Sequence, residues 1–273
     1  MEDNPIRSAV RVFKQYASLT YHITKTSVFA AMEFRASFLT QIVGMVVNDI
    51  GLIMLWLIFF AKFPVVKGWT LDDTKLIFAV TTVNFAIVFI LARGAFDLSR
   101  AIHQGELDYF LSYPKSVLWH LSVSKTEVSA IGDLIFGIVI FFVFAHPTPM
   151  RTLLFAIYTT LSAGIMYNFI VITQTLAFFF RNIEEATQDM FHALLGFTFY
   201  PQTVFSGGLK VVMMTILPAY FIAGVPVAMV REFNWTVTFE AVGFWLLTLV
   251  IAIVFFNYGM KKYESGNLIS VKM

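Results

Sequence analysis

Apolar residues run along this chain in long blocks, of a length that predicts helices crossing a lipid bilayer. About 20 apolar residues span the hydrocarbon core as an α-helix. Such blocks occupy residues 38–60, 76–91, 128–145, 153–180 and 237–256. The third is weaker at its start and is closed by His146-Pro147. Between the fourth and the last lies 190–230, apolar but broken by Pro201, Gly207-Gly208, Pro218 and Pro226. Each proline removes a helix hydrogen bond and turns the residue before it away from helical geometry. The first 35 residues are mixed, without the apolar run and cleavage site of a signal peptide. Val10, Phe13, Tyr16 and Leu19 share one helical face, as in a helix lying on a membrane surface; a solvated tail is the alternative.

Lysine and arginine favour the cytoplasmic side of a membrane, so their placement predicts topology. Arg7, Arg11, Lys14, Lys25 and Arg35 precede the first block. Arg93, Arg100, Lys115 and Lys125 separate the second from the third, and Arg181 follows the fourth. Lys261, Lys262 and Lys272 follow the last, which puts both termini in the cytoplasm. The segment holding Lys62, Lys67 and Lys75 falls outside against this rule, accompanied by Asp72 and Asp73. Two full crossings within 190–230 would make seven spans and turn the basic C-terminus outward. The reading adopted is one crossing over 185–205 and a re-entrant excursion over 209–230, with seven spans as the alternative. Irregular backbone at depth is tolerated only where protein or a water-filled cavity satisfies it. The predicted fold class is an all-α integral membrane protein with six transmembrane helices. An N-terminal interfacial helix occupies 1–36, the membrane domain 37–260 and a cytoplasmic tail 261–273, with a re-entrant hairpin between spans five and six.

Composition supports this reading and narrows the chemistry. The 273 residues are 58% hydrophobic and 13% charged, with a mean hydropathy of +0.77, where soluble domains carry roughly 25% charged residues. A net charge of +2 is too small to indicate a nucleic-acid partner. The absence of cysteine removes disulfides, thiolate metal sites and a cysteine nucleophile. The histidines are scattered, no H-E-x-x-H occurs, and Glu184-Glu185 reads as a charge pair at a helix start. No catalytic, cofactor-binding or metal-binding residues are predicted. Polar residues within spans usually face the bundle interior. Asp49 beside Asn48 in span one, and Asp133 after Gly132 in span three, suit either a polar cavity or helix–helix contacts. Asn84, Asn168 and Gln174 suit helix joining, and His192 suits either a proton relay or a satisfied bundle histidine.

The connector over 94–114, GAFDLSRAIHQGELDYFLSYP, carries the strongest local pattern. Phe96, Leu98, Ala101 and Ile102 suit one amphipathic turn, and Leu107, Phe110 and Leu111 a second. Gly105 marks a bend and Pro114 the next element, while Asp97, Glu106 and Asp108 keep one side wet. Such a segment can transmit force from a soluble partner, or simply shield the base of the bundle.

Gly105-Glu106-Leu107-Asp108, followed by Phe110-Leu111 and Pro114, resembles the cytoplasmic connector of type 2 ABC exporter permeases, in the six-helix branch often encoded as paired permeases beside one ATPase. Arg181-Asn182-Ile183-Glu184-Glu185-Ala186 resembles that family's approach to span five. Tyr200-Pro201, Phe205-Ser206-Gly207, Leu217-Pro218-Ala219 and Pro226 resemble its outer-face segment, and Tyr263-Glu264-Ser265-Gly266-Asn267 its tail. The resemblance implies a coupling helix between spans two and three, with Asp97, Arg100, Gly105, Glu106, Leu107, Asp108, Phe110 and Pro114 meeting the ATPase. It implies an outer segment built on Tyr200, Pro201, Gly207, Gly208, Pro218 and Pro226. The partners implied are two copies of an ABC ATPase, a second permease, paralogous or identical, and membrane lipid. ATP and Mg would sit on the ATPase, because this chain has no G-x-x-x-x-G-K-[ST] loop. The location implied is the bacterial inner membrane, and the cargo a hydrophobic, amphipathic or cationic molecule exported from the cytoplasm. A proton-coupled secondary transporter or channel is the alternative, with Asn48, Asp49, Asn84, Asp133 and His192 as a polar pathway. Secondary transporters commonly repeat their broken helix in both halves, and here the broken segment occurs once.

Overall fold

The computed structural model describes residues 5–145, 147–200 and 205–263, and within them regular structure is helical apart from an isolated bridge between Val66 and Trp69. Helix α1 (Pro5–Glu33) breaks at Phe34 into α2 (Arg35–Lys62), and α3 (Leu71–Ala92) follows. The connector is a 3₁₀ turn (Arg93–Asp97) and three short helices, α4 (Leu98–His103), α5 (Leu107–Leu111) and α6 (Val117–Val123). Helices α7 (Ala130–Phe144), α8 (Pro149–Thr175) and α9 (Glu184–Thr198) come next. A broken segment holds α10 (Gly207–Thr215), a π-helical turn (Tyr220–Gly224) and α11 (Val225–Arg231), and α12 (Trp235–Met260) completes the bundle.

Four helices, α2, α3, α8 and α12, are long and apolar enough to cross a membrane. At 1.5 Å per residue they measure roughly 33–42 Å, against a hydrocarbon core of about 30 Å. A fifth span exists only if the broken segment is counted as one, and its two arms differ in direction by 72°. The blocks expected over 128–145 and 185–205 fold as shorter helices, since α7 and α9 have 15 residues each, or roughly 22 Å. Helix α7 starts late because the chain before it is tied down: the Glu127 amide donates to the Phe89 carbonyl at 2.9 Å. The expected start of α9 at the Glu184-Glu185 pair is where its first turn lies.

Helix starts follow local chemistry. Thr70 and Asp73 form a capping box on α3, with the Thr70 amide donating to Asp73 Oδ2 at 2.8 Å. Thr148 caps α8 ahead of Pro149, and the Asn234 carboxamide accepts from the Thr236 and Val237 amides of α12. Helix α3 is the centre of the molecule, with α7, α8 and the return limb of the broken segment packed around it. Gly137 lets α7 approach α3 so closely that an added Cβ would lie 3.0 Å from the Ala79 carbonyl, the small-residue packing typical of helices in lipid. By contrast α2 buries only Asp49, Ile53 and Phe60, and α12 only Ala241, Ala252, Phe256 and Gly259. These two rim helices turn apolar side chains outward, as a lipid-facing surface requires.

Candidate functional site

The connector folds as two short helices either side of Gly105, which takes a left-handed φ of +74°. The Glu106 amide donates to the Ala101 carbonyl (2.9 Å) and the Gly105 amide to Ile102 (3.4 Å). This is the Schellman closure of α4, and the positive φ is what favours glycine there. Leu98, Ala101, Ile102, Leu107 and Phe110 are buried, so the apolar stripe faces the bundle. Leu111, expected on that same side, is half exposed, because α5 is one turn long and α6 covers only its Leu107 and Phe110 side. The outward surface is Glu106, Tyr109, Leu111, Tyr113 and Pro114. Periodicity did not single out Tyr109 and Tyr113, whose hydroxyls share a 2.8 Å hydrogen bond.

The connector is fastened to the bundle at several points. The Ser99 amide donates to Gln174 Oε1 at 3.1 Å, and His103 Nε2 lies 3.2 and 3.3 Å from the Ala177 and Phe180 carbonyls. Tyr263, past the end of α12, lies beside Asp108; burial and that carboxylate push its hydroxyl up to about 12. Asp97 is the electrostatic hub. Its carboxylate meets Lys125 at 2.8 Å and Arg93 and Arg100 at 3.2 Å each, while Arg93 also reaches Glu127 at 3.5 Å. Burial works against ionisation of Asp97, but the Lys125 hydrogen bond and the three cations outweigh it and hold the carboxyl below its ordinary value. Asp97 and Arg100 are therefore bound inside the connector, and Glu106 and Pro114 project from it.

At the other end of the bundle, Gly207 opens α10 with a φ of +59° beside Gly208, and the Tyr200 ring lies 5.4 Å from Trp56. Pro201 lies outside the described residues. After Pro218 the chain turns and climbs alongside α3. Arg231 forms an ion pair with Asp73 and lies over the Trp69 ring at 5.3 Å. Lower down, Asn84 Nδ2 donates to the Ile222 carbonyl at 3.1 Å and reaches Ser162 Oγ of α8 at 3.4 Å. The spacing agrees on both strands of this contact: Asp73 to Asn84 is roughly 16 Å, and Arg231 to Ile222 roughly 14 Å. Pro226 stands four residues after Ile222 and has no N–H to offer that carbonyl. Asn84 supplies the missing donor. Asn84→Ala is expected to destabilise the protein by about 1 kcal/mol, the range of interhelical hydrogen bonds in membranes. The check is hydrogen exchange, which should quicken across 220–227 while α12 is unaffected.

Of the other polar residues in the spans, Asp49 and Asp133 are brought together across α2 and α7, and each buries one carboxyl oxygen without a hydrogen-bond partner. Both residues are buried, and Gly132 allows the contact by letting α7 approach the Ile42 carbonyl. His192 is exposed on α9; its ring meets Phe191, and neither aspartate is among its contacts. Asn168 donates to the Trp245 carbonyl and to Thr248 Oγ1, joining α8 to α12. Among the described residues no three histidine or acidic side chains gather as metal ligands would.

No curated protein and no solved structure matches the chain. A family model does: that of the ABC-2 family transporter proteins, over residues 46–266, which takes in the bundle, the connector and the broken segment. A multi-pass helical membrane domain, matched along most of its length, places this chain in the ABC-2 transporter family.

Proposed function

We propose that this chain is the permease subunit of an ATP-driven exporter and that a separate ATPase docks on its connector. The carrying observation is mechanical. The connector is fixed to α8 through Ser99, to the turn after α8 through His103, and to itself across α6 through the Asp97–Lys125 pair, yet it turns Glu106, Tyr109 and Tyr113 outward. A push on that face reaches the spanning helices without being absorbed in loops. In this reading the connector end is cytoplasmic, as are both termini, and α7 and α9 complete six crossings with 207–231 re-entering from the opposite face. The region 1–36, with α1 in it, lies at the membrane interface, 37–260 is the permease domain and 261–273 is cytoplasmic. Two ATPase copies bind ATP and Mg, and a second permease, paralogous or identical, completes the pathway in a bacterial inner membrane. The cargo is a hydrophobic, amphipathic or cationic molecule.

Glu106→Lys combined with Tyr109→Ala tests the docking face, since both side chains are exposed and neither holds the fold. ATPase recovered with the tagged permease should fall at least about tenfold, equivalent to 1.4 kcal/mol, with membrane insertion unchanged. Undiminished recovery would remove the connector from the docking site. The Asp49–Asp133 contact favours a second reading, proton-coupled transport. Transport that persists with a hydrolysis-dead ATPase would select it.

A further inference from the structure

Between α1 and the bundle runs a groove that the transport reading leaves unused. One part, of about 1260 Å³, is walled by Phe13, Ala17, Thr20, Thr24 and Val28 of α1 and faces Leu249 and Ile253 of α12. A second part, of about 1030 Å³, shares Phe13, Trp119, Tyr167 and Leu249 with the first and continues to Ala156 on α8 and Val242 on α12. The two are one continuous trough. From Tyr167 to Ala156 it climbs roughly 17 Å along α8, close to the depth of one leaflet of a core about 30 Å thick. Its walls are almost wholly apolar, and Phe13, Tyr21 and Phe29 of α1 stand at 59–75% exposure.

The mouth is built differently. Tyr16 packs edge-on against Trp119 at 5.8 Å, and its hydroxyl accepts from the Ser116 amide, which pins α1 to the connector end. Aromatic groups of this kind settle at the headgroup level. Lys25 lines the groove, its Nζ over the Tyr21 and Phe29 rings, and no carboxylate among the described residues pairs with it. Beside it the Thr24 hydroxyl is buried with no hydrogen-bond partner. An apolar trough one leaflet deep, with an unpaired cation and a free hydroxyl in its wall, matches a two-part molecule whose head is anionic.

We propose that this groove is a binding site for one anionic phospholipid, its acyl chain between α1 and the α8–α12 face and its phosphate at Lys25 and Thr24. The site needs the membrane-embedded fold but no ATPase, so it stands or falls apart from the export reading. The test uses the full chain in nanodiscs of equal phosphatidylglycerol and phosphatidylcholine, extracted into detergent and weighed by native mass spectrometry. Wild type should retain phosphatidylglycerol about fivefold over phosphatidylcholine, the weight of one lysine at an anionic surface. Lys25→Glu should erase that preference, and Ala17→Trp should reduce retention of both lipids by filling the trough. Thr20→Trp repeats the filling test should Ala17→Trp fold poorly. Equal retention of the two lipids, or a preference that survives Lys25→Glu, overturns the proposal. So does cross-linking of two copies through Ala17→Cys, clean in a chain without cysteine, because it assigns the groove to a second permease.

Discussion

Gly94→Val is expected to detach the connector from the bundle and abolish recovery of the ATPase. Gly94 lies where the 3₁₀ turn after α3 crosses α6, and a Cβ there would overlap the Leu121 carbonyl oxygen and stand 2.8 Å from Ser124 Oγ. The first obstacle is backbone within a helix, so no rotamer change relieves it. Overpacking of this kind costs about 3 kcal/mol, the upper end of its usual range, and here it falls on the joint between spans and connector. Thermal unfolding in detergent should move down clearly, and ATPase recovery should fall further than with Glu106→Lys. Gly44→Val is the matched control, since nothing lies within 4 Å of the position a Cβ would take. If Gly94→Val melts with the wild type, the joint is not as tight as its geometry says.

Asp97→Ala should come next in size. It leaves Arg93, Arg100 and Lys125 crowded without their shared carboxylate, one of them through a 2.8 Å charge-assisted contact. A loss of about 3 kcal/mol follows from hydrogen bonds to charged groups of this strength. The pH dependence has a definite sign. The folded carboxyl titrates below the unfolded one, so its stabilisation is complete above the ordinary aspartate value. It is lost only as pH falls through the depressed one, below about pH 4. Wild-type connector stability should therefore hold flat from neutrality to about pH 4 and then drop, while Asp97→Ala lacks that drop. Limited proteolysis across 93–126 over a pH series reads both.

What could be read from the chain before its fold was known follows from how far each interaction reaches. The long spans were legible because lipid demands apolarity around the whole helix, and that writes itself into 20 consecutive residues. The lengths of α7 and α9 were not, because their ends are set by neighbours such as the Phe89 carbonyl that captures Glu127. The bend at Gly105 was legible from one residue. From the sequence Asp97 reads as a wetting group and, through the resemblance, as an ATPase contact, although Arg93 and Arg100 at i−4 and i+3 from it mark a charged face. Lys125, which makes the shortest contact, lies 28 positions away and left no local signal. Tyr109 and Tyr113 leave no periodic signal, because α5 has only five residues and Tyr113 lies beyond its end. Asn84 and Pro226 were each noticed, one as a polar residue and one as a helix breaker. That the second frees a carbonyl for the first was hidden by a separation of 138 residues between donor and acceptor.

That separation also sets an order of assembly. The segment 207–231 leaves the ribosome carrying a carbonyl at Ile222 that its own helix cannot satisfy, and hydrocarbon makes such a group expensive. Its partner on α3, and the serine beside that partner on α8, are already synthesised by then. The segment has no stable resting place in lipid until those two helices have come together, so it belongs to the closing stage of biogenesis. The contacts that the segment makes with α12, such as Phe221 stacked on Phe244, can form only afterwards.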